Sequence, residues 1–181
     1  MDVDASVLVR TREVSKTNGG DIVPSYNDML IFCVGRTLEN HPEMNAHFTD
    51  EGIKVFKEIK VGFAADTPAG ILVPVIRRVN AKSLPEIIKE STALIKLAKN
   101  GLLRLSLQMH GTFTVSSLGG YGIDSFNAII SPPLVAALAV RAIRKKPCIK
   151  DGKILPVGTL HLTLTADHRG IDGATAANFT A

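Results

Sequence analysis

Nine residues near the end of the chain, TADHRGIDG (165–173), carry the side chains best suited to moving a proton. His168 stands between Asp167 and Arg169, and Asp172 follows four positions later, ahead of Gly173. An imidazole is the one side chain whose ordinary titration falls near neutrality, so it can both take and return a proton there. Each neighbour also has a plain structural use. Asp172 can cap a helix, its carboxylate accepting N–H bonds from Ala174 or Thr175, and Asp167 and Arg169 can pair with nearby groups. Ser116 stands in TFTVSS (112–117), which runs into the glycine-rich LGGYG (118–122). By residue type alone its hydroxyl reads as an ordinary strand-end group bonding to backbone.

Other chemistries fit less well. Ser116, His168 and Asp172 are the three residue types of a hydrolase triad. However, Ser116 is not inside a G-x-S-x-G elbow, because the glycines follow it. LGGYG lacks the G-K-[ST] of a phosphate loop, so its glycines are read as allowing a tight turn. The basic cluster Arg141, Arg144, Lys145 and Lys146 reads as a solvated strand end before it reads as a phosphate site. Cys33 and Cys148 show no zinc-like spacing with histidine, and no metal is expected. Two thiols in such a chain suit a reducing compartment, the cytoplasm or, in a eukaryote, the mitochondrial matrix.

The elements that must position these residues can be read from periodicity. With 181 residues, 45% of them apolar, the chain is long enough for one domain with a proper core and too apolar for disorder. Its apolar runs are broken by charge well short of a membrane span, and MDVDASVLVR does not read as a signal peptide. The net charge of +4 is dispersed and aromatics are only 5%, which argues against nucleic acid as a partner. Residues 28–40 (DMLIFCVGRTLEN) have helical spacing and meet His41-Pro42, where a helix stops. Residues 59–66 and 71–76 flank TPAG and predict a hairpin. Residues 83–100 predict a helix with a Ser83/Glu86 capping box and a terminating Gly101.

Residues 112–117 alternate as a strand, residues 134–143 read as a buried strand ending in charges, and KDGK (150–153) reads as an Asp-Gly turn. In 159–166, Leu160, Leu162, Leu164 and Ala166 face one way, with Thr159, His161, Thr163 and Thr165 facing the other. Asp172 then opens a short helix through Phe179. The balance is α/β, a mixed β-sheet covered by helices.

Taken as a whole, DHRGIDG contains H-x-x-x-D-G, the signature of chloramphenicol acetyltransferase-like acyltransferases. Its fuller form, DHRxxDG, resembles the acyltransferase component of 2-oxo acid dehydrogenase complexes. Three further blocks resemble the same component in the same order: ENHPEMNAHF (39–48), VGFAADTPAGILVPVI (61–76) and GTFTVSSLGGYGIDSFNAIISPP (111–133). The chain is thus identified as a member of that family, with a chloramphenicol acetyltransferase-like fold.

The resemblance implies a dihydrolipoamide acyltransferase that passes an acyl group between a dihydrolipoyl arm and coenzyme A. Both are substrates, and the lipoyl group rides on a separate domain or chain. The two thiols would enter opposite ends of a tunnel between subunits of a homotrimer, itself a possible unit of a cubic or dodecahedral core. His168 matches the family base, Ser116 the oxyanion donor and Asp172 a position that orients the loop. Ser117, Gly119 and Phe126 are candidate substrate contacts. Partners would be the lipoyl domain and the other components of the complex, with neither nucleic acid nor membrane among them.

Some details depart from the usual family wording. Ser131 stands where asparagine commonly precedes the double proline, and Gly170 replaces a β-branched residue, which is expected to loosen the turn presenting His168. Relative to the family the domain reads as shortened at both ends, with no lipoyl or subunit-binding domain. Ser116 and SLGGYGID favour acetyl or branched-chain acyl groups over succinyl. Two alternatives stay open: a free-standing coenzyme A-dependent acetyltransferase of a small hydroxylated molecule, and a non-catalytic core scaffold. Retention of His168, Ser116 and Asp172 ranks the scaffold below the enzyme.

Overall fold

The computed structural model describes residues 1–19, 22–150 and 152–181. In chain order the elements are β1 (Asp2–Asp4), α1 (Ser6–Thr17), α2 (Tyr26–Asn40), β2 (Ala46–Thr49), β3 (Gly52–Val55), β4 (Lys60–Phe63), β5 (Ala65–Thr67), β6 (Gly70–Leu72) and β7 (Val75–Arg77). They continue with α3 (Leu84–Lys99), β8 (Phe113–Ser117), β9 (Ala136–Val140), β10 (Arg144–Lys150), β11 (Lys153–Ala166) and α4 (Gly173–Thr180).

Seven strands form the main sheet in the order β1-β11-β9-β8-β4-β7, with β10 also paired to β11. Strand β8 runs parallel to both β4 and β9, and the other pairings are antiparallel, so the sheet is mixed as predicted. The second half of β11 pairs with β9 and its first half with β10. Alternation then sorts the faces. Val61, Phe63, Phe113, Val115, Ala136, Leu138, Val140 and Leu160 form one buried cluster with Ile31 and Leu38 of α2, Ile87 and Leu94 of α3, and Phe179 of α4. Leu162, Leu164 and Ala166 pack on the same cluster, which is the face expected from the sequence. Behind the sheet, Ala137 and Ala139 meet Ala128, Phe126 and Ile130 from the irregular segment after the glycine loop. The helices α2, α3 and α4 therefore share one face of the sheet, and an extended segment covers part of the other.

The helix ends follow local chemistry. Ser83 and Glu86 make the expected capping box on α3, and Gly101 just past its end has φ 70°. A second box caps α2: the Asp28 carboxylate accepts from the Ser25 backbone N–H at 2.8 Å, while Asp28 N–H donates to Ser25 Oγ at 3.1 Å. Asp28 is buried and also accepts from Ser91 Oγ of α3 at 2.5 Å, which links the two helices.

Several elements differ from the sequence reading. The predicted hairpin is split: β4 and β7 pair in the main sheet, and β5 and β6 form a separate ribbon. Pro74, which has no N–H to offer a ladder, stands at the break, where its carbonyl accepts from Phe63 N–H at 3.0 Å. The buried strand is shorter than 134–143, and β11 begins at Lys153 rather than Thr159. Its first four residues are all exposed, so apolar and polar positions do not alternate there. Of the KDGK turn, Asp151 lies outside the described residues, and Gly152 has φ 74°. The helix α1 was not foreseen, and none of its residues is buried.

Candidate active site

His168 follows β11 directly, in a tight turn held by backbone bonds. The Asp167 carbonyl accepts the N–H groups of Gly170 and Ile171, each at 2.9 Å, and Asp167 N–H donates to the Val135 carbonyl at 2.8 Å. Ile171 is buried and anchors the far side. Gly170 does not need its glycine for backbone conformation. The nearest atoms a Cβ there would meet belong to the Ile53 and Val135 side chains, the closest at 3.3 Å. The turn is thus more firmly tied than its glycine suggested, and His168 projects from it exposed.

The residues around His168 are paired. Arg169 and Asp167 form a forked ion pair, with Nη2–Oδ2 at 2.6 Å and Nε–Oδ1 at 3.0 Å, and Arg169 N–H adds a bond to Oδ1 at 3.1 Å. The guanidinium beside Asp167 holds its carboxyl down to about 2. The same guanidinium lies over the Phe48 ring, 4.1 Å from the centroid. Asp172 caps α4, accepting from Thr175 N–H at 2.7 Å. That bond, with a smaller contribution from His168, holds its carboxyl below the usual range.

Ser116 stands at the other end of the sheet. It pairs with Ala139, which pairs in turn with Thr163, whereas the end of β11 at Ala166 lies opposite Ala136. Two strand spacings of about 4.8 Å and three residues of about 3.3 Å put the Cα of Ser116 about 14 Å from that of Ala166. His168 lies two residues further on. Because β8 and β9 are parallel and β11 is antiparallel to them, the hydroxyl sits at the carboxyl ends of β8 and β9 and the imidazole beyond their amino ends. Within one chain the two groups do not meet.

Ser116 and Ser117 line an open cleft of about 1010 Å³, together with Phe63, Asp66 and Tyr121. Tyr121 of the glycine loop donates to Asp66 Oδ2 at 2.6 Å, tying the loop to the β5–β6 ribbon. That bond holds the phenol above its usual value. Gly119 packs against backbone: a Cβ there would lie 2.8 Å from the Arg141 carbonyl oxygen. Phe126 packs on Ala137 and Ala139 behind the sheet. The structure therefore places Ser117 beside Ser116, and Gly119 and Phe126 in packing contacts next to that region.

The basic cluster is largely engaged with protein. Arg141 donates to Thr163 Oγ1 at 3.0 Å, Arg144 pairs with Asp124 at 2.6 Å, and Lys146 pairs with Asp2 at 2.8 Å. Among the described residues no group of three or more His, Cys, Asp or Glu is placed to hold a metal ion. No helix among them is long and apolar enough to cross a membrane. Sequence reasoning missed Phe48 beneath Arg169 and the Tyr121–Asp66 bond. Both join residues far apart in the chain, and no local pattern announces them.

Known proteins place this geometry in context. A dihydrolipoyllysine-residue acetyltransferase component of pyruvate dehydrogenase complex from Rickettsia prowazekii is 35% identical over 182 residues, covering 99% of this chain and 44% of its own length. The chain thus spans less than half of that relative. Among solved structures, an Azotobacter vinelandii dihydrolipoamide acetyltransferase superposes with a TM-score of 0.93 at 34% identity, over 99% of this chain and 76% of that one. That enzyme was studied for the role of one serine, one histidine and one asparagine in its catalytic mechanism. The cubic core of the pyruvate dehydrogenase multienzyme complex superposes with the same TM-score, 0.93, at 34% identity over 99% of this chain and 76% of that one. A chloramphenicol acetyltransferase shares the fold at TM-score 0.60 and 14% identity, over 99% of this chain and 82% of that one. The family described as 2-oxoacid dehydrogenases acyltransferase (catalytic domain) matches residues 1–181 throughout, and the chain belongs to it.

Proposed function

We propose that this domain transfers an acyl group, acetyl by analogy with the relatives' named activity, between a dihydrolipoyl thiol and coenzyme A. One observation carries the reading. The serine, histidine and asparagine studied in the Azotobacter vinelandii enzyme are separated by the same intervals as Ser116, His168 and Asp172, on a fold that superposes closely.

His168 accepts the proton of the attacking thiol, whose ordinary pKa of about 8.5 leaves it mostly protonated at neutral pH. The thiolate sulfur bonds to the carbonyl carbon of the acyl thioester, and the carbonyl electrons move to oxygen. Ser116 Oγ–H donates to that oxyanion, an interaction worth roughly 10²–10³ in turnover for a single donor. As the carbonyl re-forms, the other carbon–sulfur bond breaks, and the imidazolium returns its proton to the departing thiolate. Asp172 keeps the turn and the start of α4 in register with each other. Ser117 lines the cleft beside Ser116, whereas Gly119 packs on the Arg141 backbone and Phe126 on Ala137 and Ala139, outside the cleft lining.

The opposed positions of Ser116 and His168 support a site completed between two copies of the chain, as in a homotrimer. A larger cubic assembly is in keeping with the solved core. The lipoyl group would arrive on another domain or chain.

The test is complementation. His168→Ala and Ser116→Ala each lose acyl transfer between acetyl-CoA and dihydrolipoamide when assayed alone. Oligomers assembled from both variants together recover a fraction of wild-type turnover, because some interfaces then pair an intact histidine with an intact serine. Recovery is absent if both groups serve one chain's own site, and unchanged turnover in His168→Ala overturns the mechanism.

A further inference from the structure

We infer that Phe48 is a positioning residue for His168, acting through Arg169 and Asp167; the inference rests on the acyl-transfer reading above. The two residues that flank the imidazole are locked to each other, since the Asp167 carboxylate accepts both the Arg169 side-chain fork and the Arg169 backbone N–H. That pair is not free to drift. On one side Asp167 N–H is held by the Val135 carbonyl, and on the other the guanidinium carbon lies over the Phe48 ring, 4.1 Å from its centroid. Phe48 is itself fixed to the same wall, its N–H donating to the Pro133 carbonyl at 2.7 Å. With Asp167 and Arg169 both tied down, the φ and ψ of His168 are set, and with them the direction of its Cα–Cβ bond.

A delocalised guanidinium combines a fork for a carboxylate with a flat face for an aromatic ring, and an ammonium offers neither. The clamp thus uses both faces of Arg169's chemistry, and β2 supplies the platform. A base displaced by about 1 Å can lose on the order of 10² in rate, so the clamp's contribution should be read in kcat.

The experiment compares Phe48→Leu, Phe48→Tyr, Arg169→Gln and His168→Ala with the wild type, using acetyl-CoA and dihydrolipoamide. Phe48→Leu keeps apolar bulk but removes the ring, and should lower kcat by about tenfold or more at unchanged KM for both substrates. Phe48→Tyr keeps the ring and should restore wild-type kcat. Arg169→Gln, on an exposed side chain, removes both the carboxylate fork and the cation over the Phe48 ring. It should therefore lower kcat at least as far as Phe48→Leu does, again at unchanged KM for both substrates. Wild-type kcat in Phe48→Leu, equal impairment in Phe48→Tyr, or wild-type kcat in Arg169→Gln would each overturn the clamp. An inactive His168→Ala beside an unaffected Phe48→Leu removes the clamp alone, whereas an active His168→Ala removes the acyl-transfer reading and the clamp with it.

Discussion

Replacing Gly119 by alanine should strain the wall behind Ser116, and the size of the strain can be worked from the structure. The added Cβ would lie 2.8 Å from the Arg141 carbonyl oxygen and 3.3 Å from its carbon. Ordinary contact begins near 3.4 Å, so about 0.6 Å must be found somewhere. Neither side gives readily. Arg141 N–H is bonded to the His161 carbonyl at 3.2 Å, Ala142 N–H to the Ile123 carbonyl at 3.1 Å, and Leu118 N–H to the Val140 carbonyl at 3.1 Å. Overpacking of this kind costs about 1–3 kcal/mol. For a domain of this size each kcal/mol lowers Tm by about 2–4 °C, giving a fall of about 2–12 °C. Gly120, the next residue, is the control: no atom lies within 4 Å of its added Cβ and its φ is ordinary. Gly120→Ala should stay within about 0.5 kcal/mol of wild type. Thermal melts at matched protein concentration decide the matter, with acyl-transfer kcat measured alongside, since displacement of Leu118 reaches Ser117 and Ser116 through the chain. Equal Tm values for Gly119→Ala and wild type, or an equal fall in both variants, would refute the reasoning.

Three further outcomes are expected. Ser116→Ala should lower kcat by roughly 10²–10³ with little change in KM for coenzyme A; an effect confined to KM would remove the oxyanion role. Asp172→Ala should lower Tm because Thr175 N–H loses its acceptor, whereas Asp172→Asn retains a cap oxygen and should melt near wild type; an unchanged Tm in the alanine variant contradicts the cap's importance. The Asp167 carboxyl has its folded value depressed to about 2 from 3.8, so its pairing contributes stability that is complete above the unfolded value and is lost as pH falls through the folded one. The Tm difference between wild type and Arg169→Gln should therefore be constant from neutral to mildly acid pH and shrink between about pH 4 and 2; a difference that grows with acid would count against the ion pair.

Much of the fold was legible because it rests on short-range rules. The alternation of Leu160, Leu162 and Leu164 against Thr159, His161 and Thr163 named the buried face of β11, since adjacent residues in a strand point to opposite sides. Ser83 and Glu86 marked the start of α3, because a cap joins atoms three residues apart. Where burial was missing, so was the signal. Helix α1 buries no residue, and β10 (RKKPCIK) is a charge-rich strand that takes its place in the sheet by pairing with β11. In the candidate site, His168, Asp172 and Ser116 were nameable from their wording, and the Asp172 cap from its position before α4. The Arg169–Phe48 stack was not, because it joins β2 to a turn more than a hundred residues away.

By itself the sequence determined the local pieces: the strand that ends at Ala166, the capped helix that begins after Asp172, the turn between them and the serine at the end of β8. Each depends on periodicity or on hydrogen bonds spanning a few residues. Only the tertiary structure decided that Ser116 and His168 lie at opposite ends of one sheet. That outcome follows from strand order and direction, with β8 and β9 parallel and β11 antiparallel beside them. Strand pairing of this kind is governed by contacts remote in sequence, and no local pattern encodes it.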